Sequence, residues 1–329
     1  MLRSILLLAA AMTFFSCTKK DDAKTVWIYT SLYKDTVSDV QSQLEKTFPD
    51  IKIQFYQAGS EEVAAKVQAE NLSGKIQADI LISSDRFWYE DMAEQKKLLA
   101  YKPQGSDRVD SVFKHPENFF TTVSFPIMVM AYNSEKIEAK NAPQTFKELT
   151  DSKWKDQVSI GSPLASGTSF TTVSFLVEKY GWDYFSGLRK NNLIAEGGNS
   201  GVVRRLQSGE RPVGIVLLEN ILRLEKTDPR IKYIIPTDGA VIQSNVMAVV
   251  KKEKDSSSAQ KIADWFFTAE GQTALTKSFM YSGNNLIKLS GAPEWSNLSK
   301  TAMPWTREFI SKTMKDREKI KDQFSKIIF

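Results

Sequence analysis

Val158-Ser159-Ile160-Gly161, then Ser166-Gly167-Thr168-Ser169, then Phe170 to Tyr180: this is the stretch from which the fold is read. The short apolar run has the residue types of a strand, and Gly161 turns it. The span from Phe170 predicts a helix that Gly181 stops. A strand, a small-residue loop and a helix start, in that order, form a ready anion site. The first backbone N–H groups of a helix have no partner inside it. The helix dipole adds partial positive charge at the same end. The Ser and Thr hydroxyls supply further hydrogen bonds. An ordinary Ser/Thr N-cap accounts for the same residues without a ligand, so the rest of the chain has to decide between the two.

Towards the N-terminus the pattern repeats. Val26-Trp27-Ile28-Tyr29 predicts a strand ending at Thr30-Ser31, and Val37 to Phe48 has helical spacing. Ile51 to Phe55 alternates as a second strand, Gly59 turns the chain, and Ser60 is expected to cap the next helix. Ala78 to Ile82 predicts a third strand, ending at Ser83-Ser84-Asp85 before a helix over Phe87 to Gln95. Strands alternating with helices at this spacing indicate an α/β fold. Ligands of such sheets gather in the crevice outside the strand ends. Three small polar turns at equivalent strand ends therefore point to one shared site.

Towards the C-terminus, Pro126 to Asn133 predicts a long apolar strand, and Pro143 to Leu149 a helix start. Gly197-Gly198-Asn199-Ser200-Gly201 leads into a helix over Val202 to Gln207, without the glycine spacing of a dinucleotide fingerprint. Val213 to Leu218 predicts a buried strand ending at Glu219-Asn220. Ile231 to Ile235 and Val246 to Val250 are further strands, and Ser257 to Phe267 is a helix. Two α/β units result, roughly Val26 to Phe125 and Tyr132 to Pro236. Strands at Pro126–Ala131 and Gln243–Val250 cross between them. A chain that crosses twice can close two lobes over one cleft.

Composition agrees. The chain has 329 residues, 42% hydrophobic and 25% charged, with room for two domains. The first seventeen residues stand apart. A basic start at Arg3 precedes an apolar run, Ile5 to Phe15, that is too short to span a bilayer, and Ser16-Cys17 closes it. This pattern reads as a secretory signal. Cys17 is the one cysteine, and Thr13-Phe14-Phe15-Ser16 before it resembles a bacterial lipobox, with Phe14 where Leu is usual. In that reading Cys17 is acylated and holds the protein at a membrane surface. An ordinary cleavable signal with a chance cysteine is the alternative. Thr18 to Lys24 is polar and reads as a tether. The one histidine, His115, leaves little for histidine metal sites or for Ser-His hydrolysis. The formal charge of +5 is spread out, and Lys312 to Lys326, with alternating signs, reads as a solvated helix face. Nucleic acid is not an expected partner.

The order of several segments resembles a known family. These are Val26 to Ser31, Ala78 to Ser84, Val129 to Asn133, Ser166 to Thr171, Gly198 to Val203, Ser208-Gly209-Glu210 and Ala269-Glu270-Gly271-Gln272. Together they resemble the type II periplasmic solute-binding proteins of ABC transporters, in the group that takes iron(III), phosphonates and sugar phosphates. The resemblance implies an α/β, two-lobed fold, each lobe a mixed sheet flanked by helices, with two crossing strands as hinge. Lobe 1 is expected at 25–126 plus 240–329 and lobe 2 at 127–239, after the signal at 1–17 and the tether at 18–24. It further implies an exported, monomeric protein of the periplasm or cell surface. Such a protein hands a small solute to an ABC permease, with no cofactor and no chemistry of its own.

Iron-binding members of that group carry two adjacent tyrosines soon after the strand expected at Val213 to Leu218. Here the segment reads Leu217-Leu218-Glu219-Asn220-Ile221, and no two of the ten tyrosines are adjacent. An Fe(III) site needs hard anionic oxygen ligands, so iron loses its main support and an oxyanion such as a phosphonate or sugar phosphate is expected instead. The positions that match are Ser166, Thr168 and Ser169, with Ser31, Ser60 and Ser84 from the opposite lobe and Asn199 and Ser200 at another helix start. Glu219 and Asp85 at strand ends are either partners for a ligand ammonium or turn acceptors. Tyr33, Phe87 and Trp88 either wall the cleft or belong to the core. Arg204 and Arg205 read as a solvated face. Three alternatives remain: an Fe(III)-binding member, an exported phosphatase-like hydrolase, and a sensor domain serving a membrane kinase. The hydrolase would need a base, and only His115, in the loop Phe113-Lys114-His115-Pro116, is an ordinary one.

Overall fold

The computed structural model describes residues 24–253 and 255–329. The expected signal, the acylation site Cys17 and tether residues 18–23 lie outside the described residues. Lys24 is no longer tether: it opens the first strand, opposite Ile51.

The chain begins β1 (Lys24–Thr30), α1 (Lys34–Thr47), β2 (Ile51–Gln57), α2 (Ser60–Leu72), β3 (Ile80–Ser83) and α3 (Arg86–Glu94). β4 (Thr121–Phe125) and β5 (Ile127–Asn133) meet at Pro126. There follow β6 (Val158–Ile160), α4 (Gly167–Tyr180), α5 (Trp182–Lys190), β7 (Ile194–Ala195), α6 (Asn199–Ser208), β8 (Val213–Leu217), α7 (Leu218–Leu224), β9 (Ile231–Ile234) and β10 (Val241–Ile242). The chain ends with β11 (Asn245–Val249), α8 (Ser257–Trp265), α9 (Ala269–Thr276), β12 (Tyr281–Ser282), α10 (Trp295–Thr301), α11 (Arg307–Lys315) and α12 (Arg317–Ile328).

Two mixed sheets result. The first runs β12-β4-β11-β3-β1-β2, parallel across β3-β1-β2 and antiparallel across β12-β4-β11-β3. The second runs β10-β5-β8-β6-β7, with β9 also on β5, and is parallel across β8-β6-β7. Strands buried on both faces read as continuous apolar runs, and β5 and β8 are buried at every residue. The parallel pairs place α1, α2 and α6 as crossovers, so their starts gather at the strand ends.

The crossings lie at Pro126 and at Gln243-Ser244. β10 pairs with β5, so residues 241–242 belong to the second sheet rather than to a first lobe beginning at 240. Its two residues are too few to show a strand pattern in sequence.

The C-terminal segment also departs from expectation. It does not stay with the first lobe alone: α11 packs on α3 of that lobe, but α12 packs on α5 of the second. Phe185 and Phe324 meet with ring centroids 5.3 Å apart. Trp305 stacks on Phe87 at 5.8 Å and meets Phe175 edge-on at 5.0 Å, wedged between elements of both lobes. The alternating charges of 312–326 are not all solvated, since Lys321 is buried and Arg317 is 18% exposed at its side chain. The helix expected from Pro143 is a single 3-10 turn, Lys147–Thr150, because Asp151 leaves helical backbone at once.

Candidate functional site

α4 explains why the opening stretch matters. Every residue from Gly167 to Leu176 is buried, so the helix drives into the protein with its N-terminus at the inter-lobe cleft. Ser166 has extended backbone, and its hydroxyl accepts the Ser169 N–H at 3.4 Å, the N-cap geometry expected of it. The Ser166 and Thr168 hydroxyls lie 2.9 Å apart, and Asn199 Nδ2 donates to Thr168 Oγ1 at 3.0 Å. The stretch is thus both a cap and one wall of a cleft.

That cleft is a cavity of about 380 Å³ between the sheets. Of the nine ligand positions expected from sequence, eight line it: Ser31, Ser60, Ser84, Ser166, Thr168, Asn199, Ser200 and Glu219. Ser169 does not. Helical phase turns it inward, fully buried, with its hydroxyl where a Cβ on Gly161 would stand 2.4 Å away. The Ser169 Oγ has no hydrogen-bond partner among the described residues.

Several other expectations change. Ser60 does not cap α2; Gly59 occupies the cap position. The Ser60 hydroxyl instead accepts the Gly167 N–H at 2.7 Å, a bond from one lobe to the other. Asp85 does not face the cleft. Its carboxylate caps α3, accepting from Phe87 and Trp88, and is held by Arg317 Nε at 3.0 Å. Phe87 and Trp88 are core. Arg205 pairs with Glu196 at 3.1 Å, away from the cavity. His115 lines a different cavity, where its Nε2 is 3.8 Å from Glu90.

Tyr33 does wall the cleft, and Lys34, Gln57, Asn245 and Met280 join it without having been foreseen. Lys34 was within reach of sequence reasoning. It follows the strand-end turn directly and opens a helix, where a cation opposes the dipole and so gains nothing for the helix. Among the lining residues Lys34 and Glu219 are the acid and base side chains besides the Tyr33 phenol.

Glu219 is 1% exposed. Burial pushes its carboxyl up to about 8, against opposing hydrogen bonds from the backbone at Glu219 and Ile127 and from the Tyr33 hydroxyl. At neutral pH it is therefore protonated. The Tyr33 hydroxyl lies 3.4 Å from it, and the Arg223 guanidinium sits 4.9 Å over the Tyr33 ring and pairs with Asp35. These contacts join the start of α1 to α7 and close one side of the cleft, as Ser60 and Gly167 close another.

The sign of a pH effect follows. Between the ordinary value of 4.5 and about 8, the unfolded chain has lost a proton that the folded protein keeps. Stability contributed at this site is full below about 4.5 and falls as pH rises through that window, by at most about 1.4 kcal/mol per pH unit. Glu219→Gln removes that dependence. Its Tm relative to the unaltered protein is expected to climb steadily from pH 5 to pH 8 in thermal unfolding. Parallel curves would mean that Glu219 is ionised.

The charge pattern suits an anion. The N-terminal ends of α2, α4 and α6 open on the cavity, with six aliphatic hydroxyls at Ser31, Ser60, Ser84, Ser166, Thr168 and Ser200. Oriented backbone N–H groups and hydroxyls stabilise negative charge, and a neutral Glu219 does not repel it.

Comparison with known proteins agrees with the fold. A family model described as bacterial extracellular solute-binding protein matches residues 75–301. A periplasmic protein of Salmonella typhimurium, provisionally named for 2-aminoethylphosphonate binding, is 23% identical over 237 residues, covering 69% of this chain and 68% of that protein. The periplasmic binding protein AfuA of Actinobacillus pleuropneumoniae, solved with fructose-6-phosphate bound, superposes with a TM-score of 0.81 at 23% identity, covering 93% of this chain and 98% of that one. Iron-bound HitA of Pseudomonas aeruginosa gives 0.79 at 16% identity, covering 92% and 99%. Such likenesses share the fold across different cargoes. The two mixed sheets, the twice-crossed hinge, the cleft of helix starts and the family match lead to one statement: this chain belongs to the bacterial extracellular solute-binding proteins, the solute-capturing component of ABC transporters.

Proposed function

We propose that this protein captures a solute bearing a phosphate or phosphonate group. It acts as a monomer, held at a membrane surface through acylated Cys17, and passes the solute to its permease. The observation that carries the reading is the convergence of the α2, α4 and α6 N-termini, with six hydroxyls, on one cavity of about 380 Å³. A phosphoryl group takes several N–H and O–H donors at once, and helix starts supply them without a matching cation. Lys34 adds one positive charge at the rim. Glu219 serves the far end of the solute. Protonated, it donates to a ligand hydroxyl or carbonyl; on losing its proton it pairs with an ammonium.

Iron(III) fits less well. The cavity wall offers one tyrosine and one carboxylate, and the carboxylate holds its proton at neutral pH. Hard trivalent cations need several anionic oxygens.

A thermal-shift series tests the reading, with 2-aminoethylphosphonate, fructose 6-phosphate, inorganic phosphate and ferric citrate as probes. A ligand at one hundred times its Kd stabilises by about 2.7 kcal/mol, a shift of several degrees. The expected result is a shift with an organic phosphonate or phosphate. A shift with ferric citrate alone would overturn it.

A further inference from the structure

Behind the cleft, the second crossing carries a buried amide that takes no part in lining the cavity. Gln243 is fully buried. Its backbone N–H donates to Pro126 O at 2.8 Å, so the two crossings are bonded to each other. Its Nε2 donates to Thr168 O and to Thr172 Oγ1, each at 2.9 Å. A carbonyl can only accept, so the NH₂ end must face Thr168. The Oε1 atom is left buried without a partner among the described residues.

Thr168 therefore stands between two systems. Its hydroxyl lies in the cleft, bonded to Asn199 and Ser166. Its carbonyl is held by the hinge. The next two residues complete the pattern. The Ser244 hydroxyl is buried and unpartnered among the described residues. Asn245 Nδ2 donates to Ser124 Oγ at 2.9 Å, on β4 of the first sheet. Side chains thus fasten Gln243 to the second lobe and Asn245 to the first, and fasten Ser244 to neither. A hinge is a short segment that absorbs the backbone rotation between two rigid bodies.

We infer that Gln243 is a positioning residue that ties the hinge to the first turn of α4, so that the second crossing turns with the second lobe and the rotation is taken up at Ser244. Solute that engages Thr168 then acts directly on the hinge, a consequence that rests on the oxyanion reading of the cleft. The mechanical tie itself does not depend on the solute.

Gln243→Met is the test. It keeps length and removes both donors. Thr168 O retains the Thr172 hydroxyl at 2.8 Å, so the helix keeps a partner there. Hydrogen exchange of the ligand-free protein is expected to be at least tenfold faster at the amides of 168–172 and 243–245, with β1 and β8 unchanged. Thr172→Val, which removes one of the two acceptors, is expected to fall between. Unchanged exchange at 168–172, or an equal rise in β1 and β8, would overturn the tie; the second result would mean that the amide only stabilises the fold. Calorimetry with 2-aminoethylphosphonate, fructose 6-phosphate and inorganic phosphate is the second arm, where Gln243→Met is expected to weaken binding about tenfold. If the unaltered protein binds none of the three, the oxyanion reading fails, and the exchange experiment still judges the tie.

Discussion

Gly167→Val is expected to abolish solute capture while leaving the ligand-free protein folded. A Cβ at this position would stand 2.8 Å from Asp85 Cβ and 3.1 Å from both Asp85 N and Ser60 Oγ. All three atoms belong to the opposite lobe. Gly167 has ordinary helical backbone, so a valine is tolerated locally with no loss of helix propensity relative to glycine. The clash exists only when the lobes are together, and an open protein escapes it. A ligand that must bridge both lobes then loses one set of its contacts, and the closed state loses the Ser60 bond to the Gly167 N–H. Affinity is expected to fall at least a hundredfold, about 2.7 kcal/mol or more. Calorimetric titration with the best probe of the thermal-shift series, beside unfolding of the free protein, checks this. Near-normal affinity would mean that solute binds without bringing Gly167 against Asp85.

Arg317→Met is expected to give the largest loss of stability. The guanidinium bonds Asp85 at 3.0 Å and Glu61 at 2.8 and 3.1 Å, and lies 5.3 Å over the Phe170 ring. Asp85 is 1% exposed and cannot turn to water. Removing one partner of a buried ion pair leaves an uncompensated charge, which costs about 3–5 kcal/mol. For a protein of this size the Tm is expected to fall by roughly 4–7 °C. Lys321, 2.7 Å from Glu61, compensates that carboxylate but has no bond to Asp85. The double variant Arg317→Met with Asp85→Asn should therefore recover part of the loss, since Asn also caps α3. A single variant that unfolds normally would place the Arg317 ion pairs among those of no net worth.

The resemblance drew on local patterns that the structure bears out at the level of the two mixed sheets. Apolar runs mark β5 and β8, and small polar turns mark the strand ends. What escaped the sequence was decided by phase or by distance along the chain. Ser166, Thr168 and Ser169 are equivalent as letters. One caps, one faces the cavity, and Ser169 turns inward because a helix advances about 100° per residue. Asp85 looks like a strand-end ligand until Arg317, 232 positions later, is seen beside it. The charges of 312–326 look solvated for the same reason: their partners Glu61 and Asp85 are supplied by another part of the chain. Lys34 carries no motif, and its one mark in the sequence is its place at a helix start, where a cation opposes the dipole. The Gln243 amide was missed because a lone glutamine in an apolar stretch does not announce what it will bond.

The placement of α11 and α12 has a consequence for how such a chain leaves the cell. The first sheet is incomplete until β11, ending at Val249, can insert between β3 and β4. The buried carboxylate of Asp85 then waits for Arg317, and the cleft between Phe87 and Phe175 waits for Trp305. Contacts this distant in sequence form late and slowly. A chain threaded N-terminus first across a membrane therefore cannot close these contacts until Trp305 and Arg317 have emerged.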